Sequence, residues 1–433
     1  MTMQEVTMQE VTMHPVTMRR LDAPWLREGP LARVLALLDR DGEEARVVGG
    51  VVRNALLGEP PGDNDIATTA LPQEVARRAE AAGFKAVPTG IDHGTVTIVV
   101  DGEPFEVTTL RQDVETFGRH AKVAFGRDWA HDAKRRDFTM NALYVGRDGI
   151  VHDHVGGLAD LDRRRVRFIG NPRERIAEDY LRILRFFRFH ASYGHDGPPD
   201  PEGLHACIVE RSGLDKLSRE RLRMELLKLL PARNVVSALE VMSDCGLIGR
   251  VLGGVAYVAS VCRMIELEHA LALAPDAVRR LGALGVHVTE DAERLRDRLR
   301  LANGEFARLA CMADGWWRLS ARTSEADARV LIYRLGPQRF IDRALLAWAR
   351  SPEGIDDQRW RTLLTLPAHW SAPRFPLRAA DFLARGLAKG PALGAALRAS
   401  EEVWIAQGFP LDEAALARII DEVLETGAHA QLL

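Results

Sequence analysis

Apolar and polar positions alternate in two regimes along the chain. Up to about residue 145 the period switches between helix and strand within short segments. "LARVLALLDRDG" (31–42) predicts an amphipathic helix ending at Gly42. "ARVVGG" (45–50) predicts a short apolar strand running into two glycines, and "VVRNALLG" (51–58) a helix stopped by Gly58 and the Pro60-Pro61 pair. "PGDNDIATT" (61–69) reads as a short strand, and "LPQEVARRAEAAG" (71–83) as a helix with Pro72 in its first turn and Gly83 at its end. "HGTVTIVVDGEPFEVTTLR" (93–111) has period two around Asp101-Gly102, a hairpin signal. From about residue 171 the spacing is almost wholly helical. "LPAHWSAPRFPLR" (366–378), rich in proline and tryptophan, is expected to link the last helical module. The pattern predicts an α+β head followed by a long α-helical body.

Composition narrows the class only slightly. The 433 residues suffice for two to four domains, with 46% hydrophobic and 27% charged residues, as in soluble globular proteins. A net charge of −3 means that any nucleic-acid footprint must be a local basic patch. Cys207, Cys245, Cys262 and Cys311 are scattered without zinc or redox spacing, which points to a reduced cytoplasmic protein. No apolar run is long enough to span a membrane and no secretory signal opens the chain, so no membrane partner is expected. The opening pentads MTMQE, VTMQE, VTMHP and VTMRR fit no solenoid period, and residues 1–17 are read as a polar, disordered extension without function.

Asp63 and Asp65 raise the first chemical question. In a strand, residues i and i+2 share a face, so these carboxylates would stand side by side and need a cation, usually a divalent metal. A polar turn is the plain alternative, because Pro61, Gly62 and Asn64 are turn residues. Phe105 and Val107 flank Glu106; if they face the core, Glu106 lies on the open face, either as a third metal ligand or as a solvated edge residue. A strand–Gly49-Gly50–helix turn binds phosphate through backbone N–H groups, with Arg53 adding charge, although such turns are common. "RRDFTMNAL" (135–143) sets two arginines and an aspartate before an apolar strand. In "EDYLRILRFFR", Asp179, Arg182, Arg185 and Arg188 recur every third residue, which predicts a helical stripe; Tyr180, Ile183, Phe186 and Phe187 between them suggest that it borders a core.

Together "VVGGVVRNALLG…DNDIATTALP", "RRDFTMNALY", "DHVGGLADL", "EDYLRILRFFRF" and "LSRERLRMELLKLL" resemble, in order, the bacterial class II CCA-adding tRNA nucleotidyltransferases and poly(A) polymerases of the polymerase β superfamily. The resemblance is strong over residues 30–235 and closest to the CCA-adding subgroup. It implies a nucleotidyltransferase head (18–165) with a small mixed or antiparallel sheet, then an all-α neck (166–235), body (236–365) and tRNA-binding tail (366–433). It implies template-independent addition of C, C and A to the tRNA 3′ end from CTP and ATP. Asp63, Asp65 and Glu106 would bind two Mg2+ ions for attack of the RNA 3′-hydroxyl on the nucleotide α-phosphate. Gly50 and Arg53 would hold the triphosphate, Arg136 and Asp137 would sit near the ribose, and Gly49 and Asn141 would complete the nucleotide-binding set. Asp179 and Arg182 would read the base, and Arg185 and Arg188 along the stripe would belong to the nucleotide-binding set. Cytosine and adenine each offer an exocyclic amine beside a ring-nitrogen acceptor; guanine and uracil put a carbonyl where the amine should be.

The subgroup alternatives are CC-only or A-only addition, poly(A) synthesis, and an inactive tRNA-binding protein. "VPTGIDHGTVTIV" (87–99) resembles the CCA-adding subgroup, no "GRRF"-type stretch precedes the second strand, and the carboxylate set argues against an inactive chain. Two residues depart from the family pattern. Asn64 stands where an apolar or other uncharged residue is usual and would point to the back of the sheet. Phe117, before Gly118-Arg119, stands where Asp is common; it would impair the last A addition or alter loop packing.

Overall fold

The computed structural model describes residues 19–90, 94–117 and 120–430. The opening repeat, the 91–93 part of the "VPTGIDHGTVTIV" stretch and the Gly118-Arg119 loop lie outside the described residues, as does the side chain of Phe117. The chain divides into two compact units, Met1–Val251 and Leu252–Leu433.

The first unit begins with α1 (Gly29–Leu38), β1 (Ala45–Val48), α2 (Gly50–Leu57), β2 (Asp65–Thr68) and α3 (Pro72–Ala81). Then come β3 (Lys85–Gly90), β4 (Thr95–Val100), β5 (Glu103–Thr109), β6 (Arg111–Phe117), β7 (His120–Phe125), α4 (Trp129–Lys134), β8 (Leu143–Val145) and β9 (Val151–Asp153). Seven strands form one sheet in the order β3-β4-β5-β2-β1-β8-β9, and β6-β7 form a separate ribbon. Only the β2–β5 pair in this sheet is parallel; β1–β2, β1–β8, β3–β4, β4–β5 and β8–β9 are antiparallel. The mixed sheet is thus as expected. The β4–β5 hairpin turns through Asp101 and Gly102, both at positive φ, as the sequence signal requires.

Near the site one face of the sheet is buried, while the face that carries Asp65 and Glu106 stays partly open. Ile66, Phe105 and Val107 are fully buried, and α1 and α3 pack against the strands. Val48, Ala67, Trp129, Ala133, Tyr144 and Ile169 form a second cluster. Asp65 shares a strand face with Ala67 and lies at the end of that cluster.

The helical part of this unit comprises α5 (Gly157–Asp162), α6 (Pro172–Glu178), α7 (Leu181–Tyr193), α8 (Pro201–Val209), α9 (Arg219–Leu229) and α10 (Val235–Asp244), and α11 (Leu247–Leu252) ends it. α7 packs on α9 and α10, burying Leu181, Ile183, Leu184, Phe186 and Phe187.

The second unit is helical among the described residues: α12 (Val258–Ala270), α13 (Ala277–Gly285), α14 (Thr289–Leu299), α15 (Asn303–Ala313), α16 (Glu325–Leu335), α17 (Pro337–Ala349), α18 (Gln358–His369), α19 (Ala379–Leu383), α20 (Pro391–Ala406) and α21 (Glu413–Ala430). Trp348 and Trp360 stack at 5.9 Å in one core. Trp404, Phe382, Phe409 and Ile419 anchor another. The expected linker at 366–378 is shorter than its composition suggests. α18 continues through Pro367 to His369, and Trp370, Phe375 and Leu377 pack on the second core. α1 likewise ends at Leu38, before Gly42. No helix among the described residues is long and apolar enough to cross a membrane.

Candidate active site

An open cleft of about 800 Å³ lies between the ends of the central strands β1 and β2 and helices α7 and α9. It is lined by Gly49, Gly50, Arg53, Asp63, Asp65, Arg136, Asp137, Asn141, Asp179, Arg182, Arg185 and Arg188. Twelve residues chosen from the sequence therefore meet in one place; Glu106 is not among the lining residues.

β1 delivers the chain into the glycine turn. Gly49 caps α2 at φ 81°, a backbone region that side chains rarely adopt. The loop before β2 then passes tightly over this helix start: a Cβ on Gly62 would lie 3.2 Å from the Gly50 carbonyl carbon. The crossing places Asp63 beside the N-terminus of α2.

The two aspartates differ from the expected strand pair. β2 begins at Asp65, and the Asp65 N–H donates to the Asp63 carbonyl at 3.2 Å, so the chain turns at Asn64. Pro61, Gly62 and Asn64 win locally as turn residues. Asn64 is consequently a half-buried residue that precedes the strand instead of lying within it. Asp65 is opposite Glu106 across the parallel β2–β5 pair, which puts both on one face, while Phe105 and Val107 are buried on the other.

Burial, then Glu106 and Asp63, push the Asp65 carboxyl up to about 6 against the pull of Arg136. Such a crowded carboxylate is what a divalent cation would relieve. The donors are all hard oxygens, which suits Mg2+, an ion that keeps several waters and substrate oxygens. Among the described residues, however, no group of three or more His, Cys, Asp or Glu side chains is placed to hold a metal ion by itself, and Glu106 is exposed and outside the cleft lining.

The cationic wall is tightly wired. Arg53 is only 5% exposed; it donates to Asn141 Oδ1 at 2.5 Å and Asn54 Oδ1 at 2.8 Å, and its guanidinium lies 3.8 Å from the Tyr193 ring centre. Burial lowers its pKa. Asn141 Nδ2 donates to Asp137 Oδ1 at 3.1 Å, and Arg185 grips Asp137 Oδ2 at 2.8 and 2.6 Å. Burial alone would raise the Asp137 carboxyl, but Arg185, Asn141 and the Phe138 N–H hold it at about 2. Arg136 is fixed by Asp132 and the Tyr144 hydroxyl. The segment carrying these residues is not the continuous strand entry expected: Thr139–Asn141 form a 3-10 turn, and β8 starts only at Leu143.

The stripe on "EDYLRILRFFR" also differs. Asp179 has extended backbone (φ −155°, ψ 105°) and ends α6, so it sits in the break before α7 instead of on one helix with the arginines. Arg182 donates through Nη1 to Glu178 Oε2 and to the Arg175 carbonyl, each at 2.5 Å. Arg188 pairs with Glu225 at 2.6 Å. Arg221 grips Asp179. Sequence reasoning missed Arg221, Glu225 and Lys228; their i, i+4, i+7 spacing within "LSRERLRMELLKLL" was the available signal.

A family model described as Poly A polymerase head domain matches residues 45–167. A second, described as Probable RNA and SrmB- binding site of polymerase A, matches residues 199–257. The human CCA tRNA nucleotidyltransferase 1, mitochondrial, is 34% identical over 389 residues, covering 88% of each chain. The CCA-adding enzyme of Limosilactobacillus fermentum is 32% identical over 379 residues, covering 85% of this chain and 90% of the relative. The crystal structure of the Bacillus stearothermophilus CCA-adding enzyme in complex with CTP superposes with a TM-score of 0.72 at 25% identity, covering 94% of this chain and 100% of that one. With relatives this similar over this much of its length, the chain belongs to the family of CCA-adding tRNA nucleotidyltransferases.

Proposed function

We infer that this enzyme adds C, C and A to the 3′ end of tRNA, taking CTP and ATP and releasing pyrophosphate. The observation that carries this reading is the meeting of acidic pair, glycine turn and base-reading residues in one cleft. The N-terminus of α2 offers backbone N–H groups to the triphosphate, and Arg53, too buried to swing freely, sets the limit of that subsite. Asp63, Asp65 and Glu106 would hold magnesium, which when bound activates the RNA 3′-hydroxyl and neutralises the leaving pyrophosphate. Arg136 and Asp137, each locked by its own partners, present a fixed wall toward the ribose. Asp179 accepts from the exocyclic amine of the base, and Arg182 donates to the ring nitrogen through guanidinium nitrogens other than the Nη1 committed to Glu178. Buried mismatching of UTP and GTP carbonyls against Asp179 supplies the selectivity.

In this reading residues 18–165 carry the chemistry and 166–235 the base choice, while 236–365 and 366–433 hold tRNA by shape and backbone. Residence in the cytoplasm is part of this reading, although the human relative is named as mitochondrial. The test is extension of a tRNA transcript lacking its 3′ CCA. CTP alone should add two residues, and CTP with ATP three. Stopping at two with both nucleotides present would favour a CC-adding enzyme, and a long A tail a poly(A) polymerase.

A further inference from the structure

We propose that Arg221 on α9 is a positioning residue for nucleotide choice: it fixes the plane of the Asp179 carboxylate so that a single acceptor site meets the incoming base. This rests on the reading that Asp179 faces the base. Asp179 lies in the two-residue break between α6 and α7, where no helical turn restrains its side chain. Three donors restrain it instead. Arg221 Nη1 reaches Oδ1 at 3.0 Å and Nη2 reaches Oδ2 at 2.6 Å, while the Leu181 N–H reaches Oδ1 at 3.2 Å. An ionised carboxylate offers about four lone-pair sites. Three are filled, two on Oδ1 and one on Oδ2, so the remaining one is on Oδ2. It accepts one exocyclic amine and opposes a carbonyl in the same place.

The planar guanidinium fork does what a point charge cannot, because two parallel N–H bonds hold the carboxylate against rotation. The fork is itself well mounted. One turn further along α9, the nearly fully buried Glu225 takes Arg188 at 2.6 Å and faces Arg185 at 3.7 Å. α9 thus presents a cation to Asp179 and an anion to the arginines of α7 from one face. Oppositely signed contacts at successive turns fix the register of α9 against the base-reading segment, and with it the position of the fork.

The experiment measures kcat/KM for CTP, ATP, UTP and GTP on tRNA lacking its CCA end, using full-length parent, Arg221→Lys, Asp179→Ala and the double variant. Arg221→Lys keeps the charge and loses the fork. It should lower the CTP-over-UTP ratio about tenfold or more, the scale of one lost bidentate contact. In the Asp179→Ala background the same change should move the ratio by less than about twofold, because Arg221 acts through Asp179. A ratio for Arg221→Lys within about twofold of the parent overturns the proposal. So does an equal loss for all four nucleotides, or a full selectivity loss that persists without Asp179. Arg221→Gln, which retains one donor, repeats the comparison if the lysine variant is unfolded by melting. A parent that adds no nucleotide refutes the functional reading instead; equilibrium binding of CTP against UTP to parent and Arg221→Lys then decides the positioning role by the same ratio.

Discussion

Asp137→Asn tests the wiring that joins the glycine turn to the arginine wall. Asp137 receives Arg185 through two bonds, the Asn141 amide through one and the Phe138 N–H through one, and Asn141 in turn holds Arg53. The amide nitrogen introduced by Asn is a donor and cannot accept from the Arg185 fork. The fall of the Asp137 carboxyl from 3.8 to about 2 converts to roughly 2–3 kcal/mol at about 1.4 kcal/mol per pH unit. Removing a partner from a fully buried pair costs about 3–5 kcal/mol. The lower figure applies here because Arg185 retains some solvent and has Glu225 nearby. The sign follows from a depressed aspartate: the stabilisation is complete above about pH 4 and fades only as pH falls toward 2. Destabilisation should therefore be constant between about pH 5.5 and 8. Urea unfolding of parent and variant measures it, and hydrogen exchange of the α7 and β8 amides localises it to this unit. A loss under about 0.5 kcal/mol, or one that varies with pH across that window, would refute the reasoning.

Asp65 has the opposite sign. Its carboxyl, raised to about 6, costs stability as pH rises through that value, so magnesium should raise the melting temperature more at pH 8 than at pH 5, and the magnesium needed for half-maximal rate should climb below about pH 6. Lys228 is exposed at the cleft rim and, among the described residues, has no ion-pair partner, whereas every arginine lining the cleft is engaged; Lys228→Ala should raise nucleotide KM several-fold, with an effect that shrinks as salt rises. Asp342, fully buried in the second unit, accepts from Arg279, Arg308 and Gln338; Asp342→Asn should cost about 3–5 kcal/mol of that unit's stability by urea unfolding, with no change in the CTP-over-UTP ratio.

The parts of this protein that were readable from sequence share one property: local chemistry decides them. Asp101-Gly102 specifies its hairpin, and the period-two pattern around Glu106 puts Phe105 and Val107 in the core, whatever the rest of the chain does. What failed depended on competition between neighbouring signals. Spacing alone put Asp63 and Asp65 on one strand, but turn residues on both sides pulled Asp63 and Asn64 out of it. Spacing likewise put Asp179 on a helix with Arg182, although the chain breaks there and Arg221 draws the carboxylate toward α9. That partnership spans 42 residues of sequence, and nothing in either segment alone announces it. The resemblance to a family named a set of residues, twelve of which line one cleft while Glu106 does not; the geometry adds which side chain holds which.

The central claim is that one cleft performs the chemistry and chooses the base with separable residues. Single-turnover incorporation of each of the four nucleotides onto tRNA ending in CC tests it directly, with parent, Asp65→Ala and Asp179→Ala enzymes. The account expects the parent to add only A. Asp65→Ala should add nothing while melting as a folded protein, and Asp179→Ala should still add nucleotides but accept UTP and GTP. Near-normal addition by Asp65→Ala, or exclusion of UTP and GTP by Asp179→Ala as firm as the parent's, would contradict it.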